Sequence, residues 1–202
     1  MRTLRGADLL VATGNAGKMA EFSELLSPLG TRLLSLKDLG LSEPEETQHT
    51  FVGNARLKAR AAAFATGLPT LADDSGLVVA HLGGAPGLYT ADWAETGSGR
   101  DFRVAMAKTW ELLEAVAAIQ PRASTFVCVL AMVWPDGQEA VFEGRLEGEI
   151  VWPMRGLLGH GYDPIFQPTG CSLTMGEMAH SVKNRISHRA DAAKRFVSAC
   201  FT

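Results

Sequence analysis

The N-terminal part of the chain changes its hydrophobic period within a few residues. Residues 9–12 form a short apolar run, residues 14–17 form a glycine turn, and the apolar residues between positions 19 and 29 then recur at helical spacing. A short apolar run bounded by glycine is typical of a buried strand, whereas recurrence every three or four residues is typical of a helix. The sequence therefore predicts a strand, a tight turn and a helix in direct succession.

Strand and helix patterns alternate along the rest of the chain. The predicted strands after the first cover residues 31–36, 70–72, 125–133 and 140–150, and the last two flank a turn at residues 135–137. The predicted helices after the first cover residues 51–65, 102–119 and 187–200, with Thr50 as the cap of the residue 51–65 helix. Because no repeat or low-complexity linker interrupts this order, we predict one α/β domain, residues 1–202, with a mixed central sheet and flanking helices.

The composition argues against several classes of protein. A formal net charge of −3 provides no overall basic field, so a nucleic-acid polymer is not a predicted partner. The three cysteines lie far apart and form no C-x-x-C pair, which argues against a disulfide framework and a zinc site. The apolar runs are too short for a signal peptide or a membrane span. These observations predict a soluble, cytoplasmic protein without a membrane partner.

The glycine turn after the first predicted strand is a candidate anion site. It reads Thr13-Gly14-Asn15-Ala16-Gly17-Lys18, and it precedes a helix whose first N–H groups and dipole favour an anion. The two glycines are too close together for a P-loop, and Met19 stands where that motif needs serine or threonine. On its own, this segment leaves open an ordinary turn with an incidental lysine.

Two acidic segments are candidate metal sites. Asp73-Asp74-Ser75-Gly76 places two carboxylates at the predicted end of a strand, a position that suits a hard cation and its phosphates. The loop at residues 42–47 carries three glutamates, and Lys58 lies on the alanine-rich helix. The alternatives are a polar turn for the aspartates, a solvated loop for the glutamates and a solvated helix face for Lys58.

A cationic group opens the last predicted helix. Ser187-His188-Arg189 lies at its start, and Lys183 comes one turn earlier. Positive side chains at a helix start oppose the dipole preference, which indicates that an anionic or carbonyl-rich group faces them.

Seven segments of this chain resemble, in the same order, the inosine/xanthosine triphosphate pyrophosphatase family. They are residues 11–18, 45–47, 54–59, 72–77, 83–87, 161–166 and 186–189, and they extend over nearly the whole chain. The resemblance implies a mixed α/β fold of two lobes around an active-site cleft, in a homodimer. It also implies Mg²⁺-dependent hydrolysis of ITP, dITP and XTP to the monophosphate and pyrophosphate.

The family's functional residues are carried over position by position. For the phosphates the resemblance implies Thr13, Asn15 and Lys18 with the turn residues Gly14, Ala16 and Gly17, together with Lys58 and Ser75. It implies Glu45 and Asp74 as Mg²⁺ ligands, Asp74 also as the catalytic base, and Asp73 as a supporting carboxylate. For the purine base it implies His160, Gly161, Tyr162, Asp163, Lys183, His188 and Arg189.

Arg189 is the predicted source of base selectivity. A guanidinium donates to the 6-oxo group of hypoxanthine or xanthine, whereas the 6-amino group of adenine would leave that donor without an acceptor. The chain departs from the family at His160, where phenylalanine is common, at Gly53, where glutamate is usual, and at residues 179–181. The alternatives are a Maf-type pyrophosphatase for modified pyrimidine nucleotides and a non-catalytic nucleotide-binding protein.

Overall fold

Strands and helices alternate in this computed structural model, which describes residues 3–4 and 6–201. The strands are β1 (Asp8–Val11), β2 (Arg32–Ser35), β3 (Thr70–Val79), β4 (Glu95–Thr96), β5 (Gly99–Arg100), β6 (Ala123–Val133), β7 (Glu139–Ile150) and β8 (Phe166–Pro168). The α-helices are α1 (Ala16–Leu26), α2 (Phe51–Thr66), α3 (Phe102–Ala115), α4 (His180–Ile186) and α5 (His188–Cys200). Short 3₁₀ turns occupy several of the connections.

The strands form a mixed six-stranded sheet in the order β2-β1-β3-β6-β7-β8. Strand β1 is parallel to β2 and β3, whereas β7 is antiparallel to β8. Strands β4 and β5 make a separate two-stranded ribbon. The predicted fold class, a mixed central sheet with flanking helices, is confirmed.

The chain divides into two compact units, and the boundaries fall within or next to β3, β6, β7 and α5. Unit 1 comprises residues up to 74, residues 128–144 and residues from 189 onward, and unit 2 comprises residues 75–127 and 145–188. Phe22, Leu130 and Phe196 lie in the apolar core of unit 1, and Leu77 and Phe166 lie in that of unit 2. The interpretation of residues 1–202 as one two-lobed domain stays a prediction.

The predicted ends of α2 and the predicted β6–β7 turn are confirmed. The side chain of Thr50 accepts a hydrogen bond from the backbone N–H of Gly53, and Gly67 ends the helix with a φ of 66°. Between β6 and β7, the backbone N–H groups of Trp134 and Gly137 bond within residues 134–138. The chain reverses direction there because glycine at position 137 adopts a φ of 84°.

Three boundaries differ from the prediction. Strand β3 does not stop at residue 72 but runs to Val79, so Asp73 and Asp74 lie inside a strand rather than at its end. Turn-forming residues misled the prediction there, because β3 lies between two neighbouring strands in the sheet order. Helix α3 ends at Ala115 instead of residue 119, since Ala117 adopts a φ of 49°. The last helix begins at His188, and the separate helix α4 precedes it.

Within the described part of the chain, none of the helices has the length and apolar character needed to cross a membrane.

Candidate active site

The glycine turn after β1 is held by its own side chains. The Asn15 carboxamide oxygen accepts a hydrogen bond from the backbone N–H of Lys18 at 3.1 Å and so caps helix α1. The hydroxyl of Thr13 accepts from the backbone N–H of Asn15 at 3.2 Å. A Cβ at Gly14 would come within 2.9 Å of a Glu43 carboxylate oxygen, so the turn lies against the Glu43 side chain. The turn is therefore fixed beside the acidic loop.

Lys18 pairs with the first aspartate of β3. Its Nζ lies 2.8 Å from Asp73 Oδ2, and the Asp73 side chain is fully buried. Strand β1 pairs with β3 only as far as Leu71, so Asp73 lies just beyond the point where β1 gives way to the turn. Burial alone would raise the pKa of Asp73, but Lys18, Arg189 and Lys58 outweigh it and hold that pKa well below its usual range. Asp73 therefore stays ionised and fixes the Lys18 ammonium group.

Helix α2 presents Asn54 and Lys58, four residues apart, on one buried face. Lys58 Nζ lies 2.7 Å from Glu46 Oε1 in the acidic loop. Burial alone would lower the pKa of Lys58, but Asp73, Asp74 and Glu46 together raise it above its usual value. The solvated alternative for Lys58 is wrong, because its side chain is only 3% exposed and lies among carboxylates.

Asp74 shares the Asn54 amide with Glu46. Asn54 Nδ2 donates to Asp74 Oδ2 at 3.1 Å and to Glu46 Oε2 at 3.4 Å. Burial and the nearby Glu46 charge raise the pKa of Asp74 to about 6, although Lys58 and Asn54 act in the opposite direction. Two carboxylates from different segments thus converge on one buried amide.

Glu45 and Glu46 differ in their contacts. Both are exposed, and Glu45 is the predicted metal ligand, but the carboxylate of Glu46 contacts both Lys58 and Asn54. Periodicity cannot choose between adjacent acids in a loop without regular structure, so the sequence carried no signal that favoured Glu46. Among residues 3–4 and 6–201, no three or more His, Cys, Asp or Glu side chains form a cluster that could hold a metal ion.

Unit 2 contains a second charged group among the predicted base-binding residues. Lys183 Nζ lies 2.6 Å from Asp163 Oδ2, which also accepts a hydrogen bond from the backbone N–H of His160 at 2.7 Å. Gly159, with a φ of 85°, leaves room for this carboxylate, since a Cβ there would lie 2.1 Å from Asp163 Oδ2. The loop at residues 159–163 is therefore clamped by one carboxylate.

The ring-bearing residues among the predicted base-binding residues of unit 2 also have defined contacts. The Tyr162 hydroxyl donates to the backbone oxygen of Thr90 at 3.2 Å, and burial raises the pKa of this phenol. The His188 ring stacks on Phe126 with ring centroids 4.9 Å apart. His160 and Gly161 line a cavity of about 360 Å³ that also includes Phe102 and Met106.

The remaining predicted residues have different surroundings. Ser75 is half-buried in β3. Arg189, at the start of α5, is buried in unit 1, where its guanidinium pairs with Glu21 of α1 and lies near the ring of Phe22. Burial would lower the pKa of Arg189, but the charges of Asp73 and Glu21 help to raise it.

A sequence profile described as the Ham1 family matches residues 9–199 of this chain. The chain belongs to the Ham1 family. A dITP/XTP pyrophosphatase from Ruegeria pomeroyi is 54% identical over 99% of this chain and 98% of the relative, and one from Rhizobium meliloti is 50% identical over 99% of both. A Ham1-family structure, that of a HAM1 protein from Coxiella burnetii, superposes with a TM-score of 0.88 at 37% identity, over 96% of this chain and 98% of the other. The family resemblance predicted from seven short segments is confirmed over the full domain.

Proposed function

We propose that this Ham1-family chain hydrolyses the non-standard purine nucleotides dITP, XTP and ITP to the monophosphate and pyrophosphate, and so cleanses the nucleotide pool. Relatives that match this chain over nearly their full length, with about 50% sequence identity, carry the name dITP/XTP pyrophosphatase. The observation that carries the proposal is the group of charges in unit 1: Lys18 pairs with Asp73, Lys58 pairs with Glu46, and the Asn54 amide donates to Asp74 and Glu46. No observation favours a Maf-type pyrimidine pyrophosphatase or a non-catalytic nucleotide-binding protein.

The triphosphate is bound by the turn and by two lysines. The N–H groups at the start of α1 favour an anion, and the side chains of Thr13 and Asn15 fix the turn that presents them. Lys18 and Lys58 each have an ammonium group with three donors, so each can hold its carboxylate and still bond a phosphate oxygen. Charge-assisted bonds of this kind stabilise the negative charge that develops during phosphoanhydride cleavage.

Glu46 and Asp74 are the proposed ligands of a divalent cation, with Mg²⁺ as the proposed ion. Their convergence on Asn54, and the burial and mutual repulsion that raise the pKa of Asp74, fit a cation held by two carboxylates. Mg²⁺ commonly binds through one or two carboxylates together with substrate phosphates and water. When bound, the cation neutralises phosphate charge and orients the phosphoanhydride.

Asp74 is also the proposed general base. Its pKa of about 6 leaves it ionised above neutral pH, when it can accept the proton of the attacking water. The proposed role of Asp73 is to hold the Lys18 ammonium group in place, because Asp73 pairs with Lys18 and has a depressed pKa.

The purine base is the proposed ligand of the unit 2 group. His160 lines the cavity and offers a ring surface, while Lys183 offers a donor for an oxo group. Tyr162 and His188 are buried, so their proposed part is to shape the base site from behind. Selectivity against adenine follows if these donors meet a 6-oxo acceptor, because a buried donor facing an amino group is costly.

The test is pyrophosphate release from dITP, XTP, ITP, ATP and dTTP in the presence of Mg²⁺, with Glu46→Gln and Glu45→Gln as a matched pair. We expect release from the non-standard purines only, and a loss of rate of at least about 100-fold in Glu46→Gln but within about threefold in Glu45→Gln. The reverse order would make Glu45 the ligand, and release from dTTP alone would contradict the proposed substrate class.

The predicted homodimer is proposed with the function, and light scattering on the purified chain tests it. The cytoplasmic location stays a prediction.

A further inference from the structure

The carboxamide of Asn54 occupies an unusual position for a neutral side chain. It lies in the first half of α2, is only 2% exposed, and contacts Asp74 of β3, Glu46 of the acidic loop and Gln48 just after that loop. Nδ2 lies within hydrogen-bond distance of both Asp74 and Glu46. A neutral amide thus joins the two carboxylates that are proposed to hold the cation.

The orientation of this amide is fixed from its other end. Asn54 Oδ1 accepts a hydrogen bond from the backbone N–H of Gln48 at 3.0 Å. A backbone N–H can only donate, so Oδ1 must face Gln48 and Nδ2 must face the carboxylates. Nδ2 carries two hydrogen atoms, one for each carboxylate oxygen, which matches the two contacts observed.

Gly53 makes this arrangement possible in this chain. A Cβ at position 53 would lie 2.7 Å from Gln48 Cβ, so any larger residue would push the Gln48 segment away from α2. The glycine that stands where the family usually has glutamate therefore lets Gln48 approach Asn54.

We propose that Asn54 is a positioning residue that holds the carboxylates of Asp74 and Glu46 together for a divalent cation. The inference rests on the proposed function, because it concerns the same two carboxylates. Two like charges repel; Lys58 holds Glu46 with a contact of 2.7 Å, and Asn54 donates to both carboxylates and so links one to the other. Asn54 keeps them together before any cation arrives, and it does so without adding a charge of its own.

The experiment measures Mn²⁺ binding to the substrate-free protein by titration calorimetry, with Asn54→Ala and Thr50→Ala compared. Thr50→Ala is the matched control, because it removes the side-chain cap of the same helix and touches neither carboxylate. Loss of a group that orients metal ligands weakens metal affinity by about 10- to 100-fold. We expect that loss in Asn54→Ala, and an affinity within about twofold of wild type in Thr50→Ala.

Kinetics provide the second readout. In Asn54→Ala, kcat for dITP should fall by a similar factor while KM changes by less than about threefold, because Lys18 and the turn remain intact. Asn54→Gln, which keeps the amide, should recover part of the Mn²⁺ affinity. If Asn54→Ala folds too poorly for calorimetry, the rise in Tm on adding Mn²⁺ reports the same affinity.

Equal Mn²⁺ affinity in Asn54→Ala and Thr50→Ala would overturn the proposal, as would a glutamine variant no better than alanine. A wild-type protein that binds Mn²⁺ but releases no pyrophosphate from dITP would instead refute the proposed function, so the two failures are distinguishable.

Discussion

Asp74→Asn should abolish turnover and yet stabilise the metal-free protein. Asp74 is almost fully buried, and its pKa is raised from 3.8 to about 6 by burial and by the charge of Glu46. A carboxyl group with a raised folded-state pKa favours folding only while it is protonated. Its contribution is therefore complete below about pH 4 and is lost as the pH rises through 6. An asparagine at the same position never ionises, so the variant does not lose stability as the pH rises through 6.

The magnitude follows from the shift in pKa. A shift from 3.8 to about 6 is close to two units, and one unit corresponds to about 1.4 kcal/mol, so the full effect is about 3 kcal/mol. The free energy of unfolding of Asp74→Asn should exceed that of wild type by up to about 3 kcal/mol at pH 8, and by much less at pH 4. The Asn54 hydrogen bond survives in the variant, because the new amide still offers an oxygen to Asn54 Nδ2.

Urea unfolding between pH 4 and 8 in the presence of a chelator measures this difference directly. Adding Mg²⁺ should reverse the order at pH 8, because only wild type keeps both carboxylates. With Mg²⁺ bound, the pKa of Asp74 should lie below its metal-free value of about 6, so the rate of dITP hydrolysis by wild type should fall only at a more acidic pH, as Asp74 becomes protonated. Parallel stability curves for the two proteins across this pH range would refute the raised pKa, and a folded variant with near-normal turnover would refute the assignment of Asp74.

Four further substitutions test the other groups. Lys18→Ala and Lys58→Ala should each cost about 1.5–3 kcal/mol of kcat/KM for dITP, from a lost charge-assisted bond, and unchanged rates in both would place the phosphates elsewhere. Arg189→Ala removes the guanidinium that pairs with buried Glu21, so chemical denaturation should show a loss of about 3–5 kcal/mol. If Arg189 also contacts the base, the dITP-to-ATP selectivity ratio should fall by about 10- to 100-fold in Arg189→Ala. Equal slowing of both substrates would mean that Arg189 has a structural role only. Gly159→Ala should raise KM for dITP and destabilise the fold by about 1–3 kcal/mol, because the new Cβ meets Asp163 and the φ of 85° disfavours alanine; an unchanged KM would contradict a role for this loop in base binding.

The sequence predicted the elements whose signals are local. Thr50 and Gly67 bound α2 as expected, because capping and left-handed φ values depend on the residue at that position. The β6–β7 hairpin also followed from local turn chemistry. The continuation of β3 through Asp73 and Asp74 could not be predicted in this way, because the strands beside β3, β1 and β6, come from distant parts of the chain.

The candidate site shows the same division. Asp74 and Lys18 could be identified from their motifs, but the choice between Glu45 and Glu46 depends on which side chain the loop turns toward α2. The burial of Lys58 was also beyond the sequence, because an alanine-rich helix has no strong apolar stripe to indicate its buried face. The contact between Arg189 and Glu21 joins residues 168 positions apart, and no pattern in the chain predicts it.

The charge balance of unit 1 connects the proposed metal requirement with the position of Asp74. Four carboxylates, those of Glu21, Glu46, Asp73 and Asp74, lie among three cations, Lys18, Lys58 and Arg189. Each cation has a close carboxylate partner, and Asp74 accepts a hydrogen bond from the neutral amide of Asn54. These seven groups carry one excess negative charge. Burial is the main cause of the raised pKa of Asp74, and the charge of Glu46 adds to it, whereas Lys18, Arg189 and Lys58 hold the pKa of Asp73 low. A divalent cation beside Asp74 and Glu46 would reverse that excess, so a negatively charged triphosphate should bind more tightly to the metal-loaded protein than to the metal-free one.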